Sequence, residues 1–143
     1  MKVPSLLLLL LLAISSSSTA QDANAKAIRG VWRGTSICVN LEAAPACKNE
    51  EVIYEFRETT PPVARKLNLK ADKIVDGKVV PMGELDLVWV PAEGAWSSEI
   101  QTPRVHALWS FKQPGGDELA GTLVLLPDRI LVRKAAARRQ PKA

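Results

Sequence analysis

The two cysteines are the residues whose spacing points most directly to chemistry. Cys38 and Cys47 lie nine residues apart with Pro45 between them, a spacing that suits a disulfide pinning a loop or a pair of neighbouring strands. In the loop-entropy description such a bridge stabilises a fold by roughly 2.5–3 kcal/mol. A metal site or a reactive thiol is the alternative, but zinc would need further ligands, and the single histidine, His106, is far away in sequence. A disulfide is the main prediction.

The single histidine also limits the catalytic chemistry open to the chain. Any Ser-His-Asp or Cys-His arrangement would depend on His106. Its position in an alternating strand places it on the face opposite Trp109 and Phe111, towards solvent. Acidic residues such as Glu55 and Glu84 fall at solvated strand positions. We therefore expect a protein that is not an enzyme and that uses no metal and no cofactor.

An aromatic cluster is the candidate binding site. Tyr54 and Phe56 alternate on one segment, Trp109 and Phe111 alternate on another, and Trp89 follows an alternating pair of leucines. On matching faces of a curved sheet, these five side chains would line an apolar cup and stack against a small ligand. The alternative is that they fill the core of a small barrel, whose interior has just enough room for side chains. The sequence favours the filled core.

Short alternating segments separated by Pro, Gly and Asp run from Ile28 to Val132. Alternation with a period of two predicts strands, and Asp76-Gly77 supplies the positive φ angles of a type I′ hairpin turn. Eight or nine strands in about 105 residues predict an all-β fold, a small antiparallel up-and-down barrel of about eight strands. An immunoglobulin-type sandwich is the alternative, but it would place its cysteines on distant strands.

The first twenty residues predict a signal peptide. Lys2 gives a short positive start, a leucine run follows, and Ser18-Thr19-Ala20 offers small residues before a cleavage site at Gln21. The apolar run is too short to span a bilayer, and a retained membrane anchor is the alternative. We therefore expect an exported protein, periplasmic or secreted, in which residues 21–27 form a flexible lead-in.

The formal net charge of +4 comes from the C-terminal end. Five basic residues fall within the last eleven positions: Arg133, Lys134, Arg138, Arg139 and Lys142. A nucleic-acid-binding domain would carry its basic residues along a folded face, so we expect no nucleic-acid partner. The barrel domain is predicted to span 28–134. Residues 135–143 are predicted to form a basic flexible tail that is solvated or makes weak contact with an anionic surface.

Residues near the two ends of the barrel domain resemble those of lipocalins and the wider calycin group. Gly30-Val31-Trp32 is similar to the Gly-x-Trp that opens the first lipocalin strand, and Arg133 lies at the end of the predicted last strand. The resemblance implies a closed barrel in which Trp32 covers the floor and Arg133 packs across its indole as a cation–π contact. The stretch from Trp32 to Phe56 also resembles small exported bacterial proteins of uncharacterised function.

These observations predict an exported, non-enzymatic, lipocalin-like monomer that binds a small apolar ligand or a protein partner. The second prediction is a barrel-shaped protease inhibitor that inserts residues 21–29 into a protease cleft, although the cysteines of such inhibitors are farther apart than Cys38 and Cys47. An enzyme of lipocalin-like fold is the third. An open, aromatic-lined cup would favour ligand binding. A filled barrel with a protruding N-terminus would favour inhibition.

Overall fold

A computed structural model describes residues 17–142, in which one helix precedes eight strands. Helix α1 spans Ser17–Ile28, and the strands are β1 (Gly30–Cys38), β2 (Glu50–Glu58), β3 (Lys66–Val75), β4 (Lys78–Val90), β5 (Ala95–Gln101), β6 (His106–Gly115), β7 (Glu118–Leu125) and β8 (Ile130–Arg139). Each strand pairs antiparallel with the next, and β8 pairs with β1. The predicted antiparallel eight-stranded barrel is confirmed. Residues 1–16, which hold most of the predicted signal peptide, lie outside the described residues.

The period of two in the sequence directs apolar side chains into the barrel. In β2, Val52, Tyr54 and Phe56 are all buried, whereas the residues between them are partly exposed. The hairpin between β3 and β4 has the predicted geometry, because Asp76 and Gly77 have φ angles of 51° and 75°. Local pattern and turn chemistry therefore set the strands and their register.

One end of the barrel is closed by α1 and by an indole. Trp32 is fully buried, and its Nε1 donates a hydrogen bond of 2.8 Å to the carbonyl oxygen of Ile28. Ile28 and Ala25 pack against the core. The prediction of a flexible lead-in at 21–27 is wrong, because this alanine-rich segment favours a helix and its last turn buries Ile28. Within the described residues, no helix has the length and apolarity needed to cross a membrane.

The last strand continues beyond the predicted boundary at residue 134. Ala135 and Ala137 are buried, and β8 pairs with both β1 and β7 as far as Arg138. Space is tight here, since a Cβ added to Gly121 would lie 3.2 Å from the Cβ of Ala135. The prediction of a flexible tail is therefore wrong for residues 135–139. Alanine contributes little to a hydrophobic sequence pattern, but its small side chain fits an inward position where the neighbouring atoms are this close.

The opposite end, which we call the mouth, is formed by the connections 39–49, 76–77, 102–105 and 126–129. The Cys38–Cys47 disulfide forms at the mouth, as predicted. It ties the connection 39–49 to the end of β1. Because both cysteines are in this bridge, the alternatives of a metal site and a reactive thiol are wrong.

Replacing Cys47 by Ser should lower the free energy of unfolding by about 2–3 kcal/mol, because the unfolded chain then regains the freedom of the closed loop. Urea unfolding of the variant and of the wild type measures the difference. Adding a reductant should bring the wild type close to the variant and leave the variant unchanged. Equal stability of the two proteins without reductant would contradict this prediction.

The barrel wall opens between β4 and β5 near the mouth. These strands pair at Val88, Trp89 and Val90 of β4, close to the closed end, and the remainder of β4 pairs with β3. Pro81 has no N–H to offer a neighbouring strand, and Gly83 has a φ of 134° beside a register shift. Proline residues and β-bulges both terminate strand pairing. This half of β4 therefore leaves the barrel interior accessible.

Candidate functional site

A cavity of about 300 Å³ lies between the mouth and the core, beside the opening in the wall. Its lining combines apolar, aromatic and polar side chains from seven strands. The lining residues are Ser36, Glu50, Tyr54, Leu69, Ala71, Met82, Gly83, Glu84, Leu85, Ile100, Trp109, Phe111 and Arg133. Of the two interpretations of the aromatic cluster, the structure supports a filled core near the closed end and an open cup above it.

Phe111 is the centre of the aromatic wall. Its ring centroid lies 5.4 Å from that of Tyr54 in an edge-on arrangement and 5.4 Å from that of Trp109, with planes only 10° apart. Such contacts favour defined ring positions. Strands β2 and β6 therefore present a preformed aromatic surface to the cavity.

Three of the five predicted ligand-binding residues, Tyr54, Trp109 and Phe111, line this cavity. Phe56 instead lies in the core with its ring edge-on to Phe111, their centroids 5.4 Å apart. Trp89 packs against Trp96 where β4 and β5 pair, with a centroid distance of 5.2 Å. The alternation along each strand directs all five side chains into the barrel. Because the strands are tilted, however, the side chains lie at different distances from the mouth.

A polar cluster of Ser36, Glu50, Lys73 and Arg133 adjoins the Tyr54 phenol at one end of the aromatic wall. The two carboxylate oxygens of Glu50 interact with different cations, one 3.2 Å from Lys73 Nζ and the other 3.6 Å from Arg133 Nη1. Sequence reasoning missed Ser36, Glu50 and Lys73 as site residues. The alternation along β2 could have identified Glu50, because Glu50 lies on the same face of the strand as Val52 and Tyr54.

Arg133 is held by several acceptors. Its Nη1 donates to the Ser36 carbonyl at 3.2 Å and to the Ser36 hydroxyl at 3.0 Å. Its Nη2 donates to the Lys48 carbonyl at 2.8 Å and to Cys47 Sγ at 3.1 Å. These contacts connect β8 to the disulfide-bridged connection at the mouth.

The predicted contact between Arg133 and Trp32 is wrong. The register of β8 on β1 pairs Arg133 with Cys38 and Trp32 with Arg139. The Arg139 guanidinium carbon lies 4.2 Å from the centroid of the Trp32 ring. The error follows from ending the last strand at residue 134, because the inward alternation continues through Ala135 and Ala137 to Arg139.

Burial raises the pKa of Tyr54 to about 12, while the Ser36 side chain and the charge of Arg133 have smaller, lowering effects. The phenol is therefore neutral at physiological pH and can donate or accept a hydrogen bond. The cavity thus offers a neutral polar group beside the Glu50–Arg133 pair.

His106 lies outside this site, as its parity predicted. Its Nε2 contacts Glu99 Oε1, and both side chains are substantially exposed. Among the residues that the structure describes, no group of three or more His, Cys, Asp and Glu side chains could hold a metal ion. The cavity, rather than His106, is the candidate functional site.

Solved structures share this architecture. The siderocalin Ex-FABP, which functions through dual ligand specificities, superposes with a TM-score of 0.54 at 11% identity, over 82% of this chain and 76% of its own. The chain has a lipocalin-like fold. A redesigned β-barrel bound to DFHBI matches the same lipocalin-like barrel with a TM-score of 0.54 at 15% identity, over 81% of this chain and 98% of its own.

The S-type phycobiliprotein lyase CPES from Guillardia theta matches the lipocalin-like barrel with a TM-score of 0.52 at 8% identity. That match covers 90% of this chain and all of the lyase chain (100%). No protein-family model and no curated protein sequence matches the chain. At these identities the similarity concerns the fold.

Proposed function

We propose that this protein is an exported, non-enzymatic lipocalin-like barrel that binds a small apolar or amphipathic ligand in its cavity. The observation that carries the proposal is the accessible cavity of about 300 Å³ with a preformed aromatic wall and a few polar groups beside it. Ligand sites typically combine a mostly apolar concave surface with few, well-placed polar groups.

Two further observations support the proposal. The volume lies at the lower end of the range of about 300–1,000 Å³ typical of small-molecule sites, which favours a compact ligand. Structural neighbours such as the DFHBI-bound barrel and the siderocalin support a binding role in general. The Cys38–Cys47 disulfide is consistent with an oxidising compartment, as export implies.

The competing functions have less support. His106, on which Ser-His-Asp or Cys-His catalysis would depend, contacts Glu99 away from the cavity. The inhibitor hypothesis needs residues 21–29 to be loose. Instead, residues up to Ile28 belong to α1, and Ile28 is buried against the core.

The wild-type protein should bind 1-aminoanthracene, a neutral fluorophore whose emission rises in apolar surroundings, in a saturable manner. Trp109→Leu should weaken this binding at least tenfold, about 1.4 kcal/mol, because it removes a ring from the cavity wall. Trp89→Leu is the matched control, since Trp89 lies outside the cavity lining. A fluorescence titration measures all three dissociation constants.

Circular dichroism at the titration temperature establishes that each variant is folded. Absence of saturable binding by the folded wild type would overturn the proposed function. Equal weakening by Trp109→Leu and Trp89→Leu would place the ligand elsewhere in the barrel.

A further inference from the structure

Two compartments lie side by side beneath the mouth. One is the cavity described above, and the other is an open hollow of about 650 Å³ lined in part by residues 43–47 of the disulfide-bridged connection and by residues 104–106. Leu123 and Leu125 give the hollow an apolar wall, as Leu69 and Ile100 do for the cavity. Arg133 lines both compartments. Its side chain therefore stands between two apolar spaces.

The position of Arg133 is fixed rather than loose. Only 13% of its side chain is exposed, and both terminal nitrogens donate hydrogen bonds, to Ser36, to Cys47 and to Lys48. A hydrocarbon chain cannot replace these acceptors, so moving the guanidinium aside would leave buried polar groups without partners. An apolar ligand in the cavity therefore meets a polar barrier at Arg133.

We propose that Arg133 is a specificity-determining residue that limits the ligand to the size of the cavity by separating it from the hollow beside the disulfide-bridged connection. This inference rests on the proposed ligand-binding function. It assigns the upper size limit to a single side chain rather than to the barrel wall. Removing the guanidinium joins the two compartments and admits longer apolar ligands.

The test uses unbranched 1-alkanols from hexanol to dodecanol, with calorimetry of each on the folded protein. Each added methylene that is buried should tighten binding about fourfold. In the wild type this gain should stop within the series, at the chain length that fills the cavity. In Arg133→Met the gain should continue for at least two further carbons, so that dodecanol binds at least tenfold tighter than to the wild type.

In each protein the readout is the ratio of the hexanol to the dodecanol dissociation constant, so that a change in affinity common to all alcohols does not affect the result. Lys134→Met is the matched control, since Lys134 is the next residue of β8 and is exposed on the outer face. This variant should keep the wild-type limit. Should Arg133→Met fold poorly, Arg133→Met combined with Glu50→Gln removes the carboxylate that loses a partner, and the same shift is expected.

The outcomes separate this inference from the proposed function. Absence of binding of every alcohol by the wild type would overturn both. Binding with the same chain-length limit in wild type and Arg133→Met would overturn only the role of Arg133. A wild-type affinity that keeps rising through dodecanol would also overturn it, because the wild type would then have no size limit within the series.

Discussion

A chain that ends after Lys134 should fail to form the barrel. The truncation removes the half of β8 that pairs with β1 on one side and with β7 on the other. It also removes Arg139, which covers the Trp32 indole. A domain of this size has a free energy of unfolding of about 5–15 kcal/mol. Opening the barrel should remove most of this stability. Circular dichroism should show no cooperative thermal transition.

A chain that ends after Gln140 is the control for this truncation. It keeps all of β8 and the backbone hydrogen bond of 2.8 Å from Gln140 N to Val31 O. Its melting temperature should lie within a few degrees of the full-length value. A normal melting temperature for the chain ending at Lys134 would show that residues 135–139 are a dispensable tail and that the barrel closes without them.

The strands could be predicted from sequence because their signals are local. Val52, Tyr54 and Phe56 show the period of two that a one-sided strand requires, and Asp76-Gly77 has the turn chemistry of its hairpin. Eight such segments with short connections favour a closed barrel, since closure leaves no exposed edge. The disulfide was predictable on similar grounds, from cysteines nine residues apart.

Alanine accounts for the two errors at the chain ends. In α1 an alanine-rich segment forms a helix. Its burial depends on contacts with the barrel floor, and those contacts cannot be read from the sequence of the segment itself. In β8 the inward positions at 135 and 137 are alanines, so the alternation carries little contrast in hydrophobicity. Placing the strand end too early then assigned the contact with Trp32 to Arg133 instead of Arg139.

The cavity could not be predicted from any single segment of the sequence. Its access comes from the separation of β4 from β5, which reflects Pro81, Gly83 and a register shift acting together. Its polar cluster joins residues from β1, β2, β3 and β8. Parity could place Glu50 and Lys73 inside the barrel, but only the register of the whole sheet brings them to the same depth as Arg133.

Trp32 and Arg139 should be energetically coupled. Trp32→Ala removes a fully buried aromatic side chain and should lower the free energy of unfolding by about 3–5 kcal/mol. Arg139→Ala should cost about 1–2 kcal/mol, because Arg139 packs over the indole and donates hydrogen bonds to the carbonyls of Ala27 and Arg29 at the end of α1. The double variant should lose less than the sum, by at least 0.5 kcal/mol.

Arg133→Ala provides the matched cycle, since Arg133 faces inward on the same strand but lies six residues from Arg139, about 20 Å along β8. Its effect should add to that of Trp32→Ala within about 0.5 kcal/mol. If Trp32→Ala does not fold, Trp32→Phe replaces it in both cycles at a lower cost. Urea unfolding gives the four free energies of each cycle. Coupling of Trp32 to Arg133 but not to Arg139 would mean that β8 pairs with β1 in a different register, and the closed end of the barrel would then need another explanation.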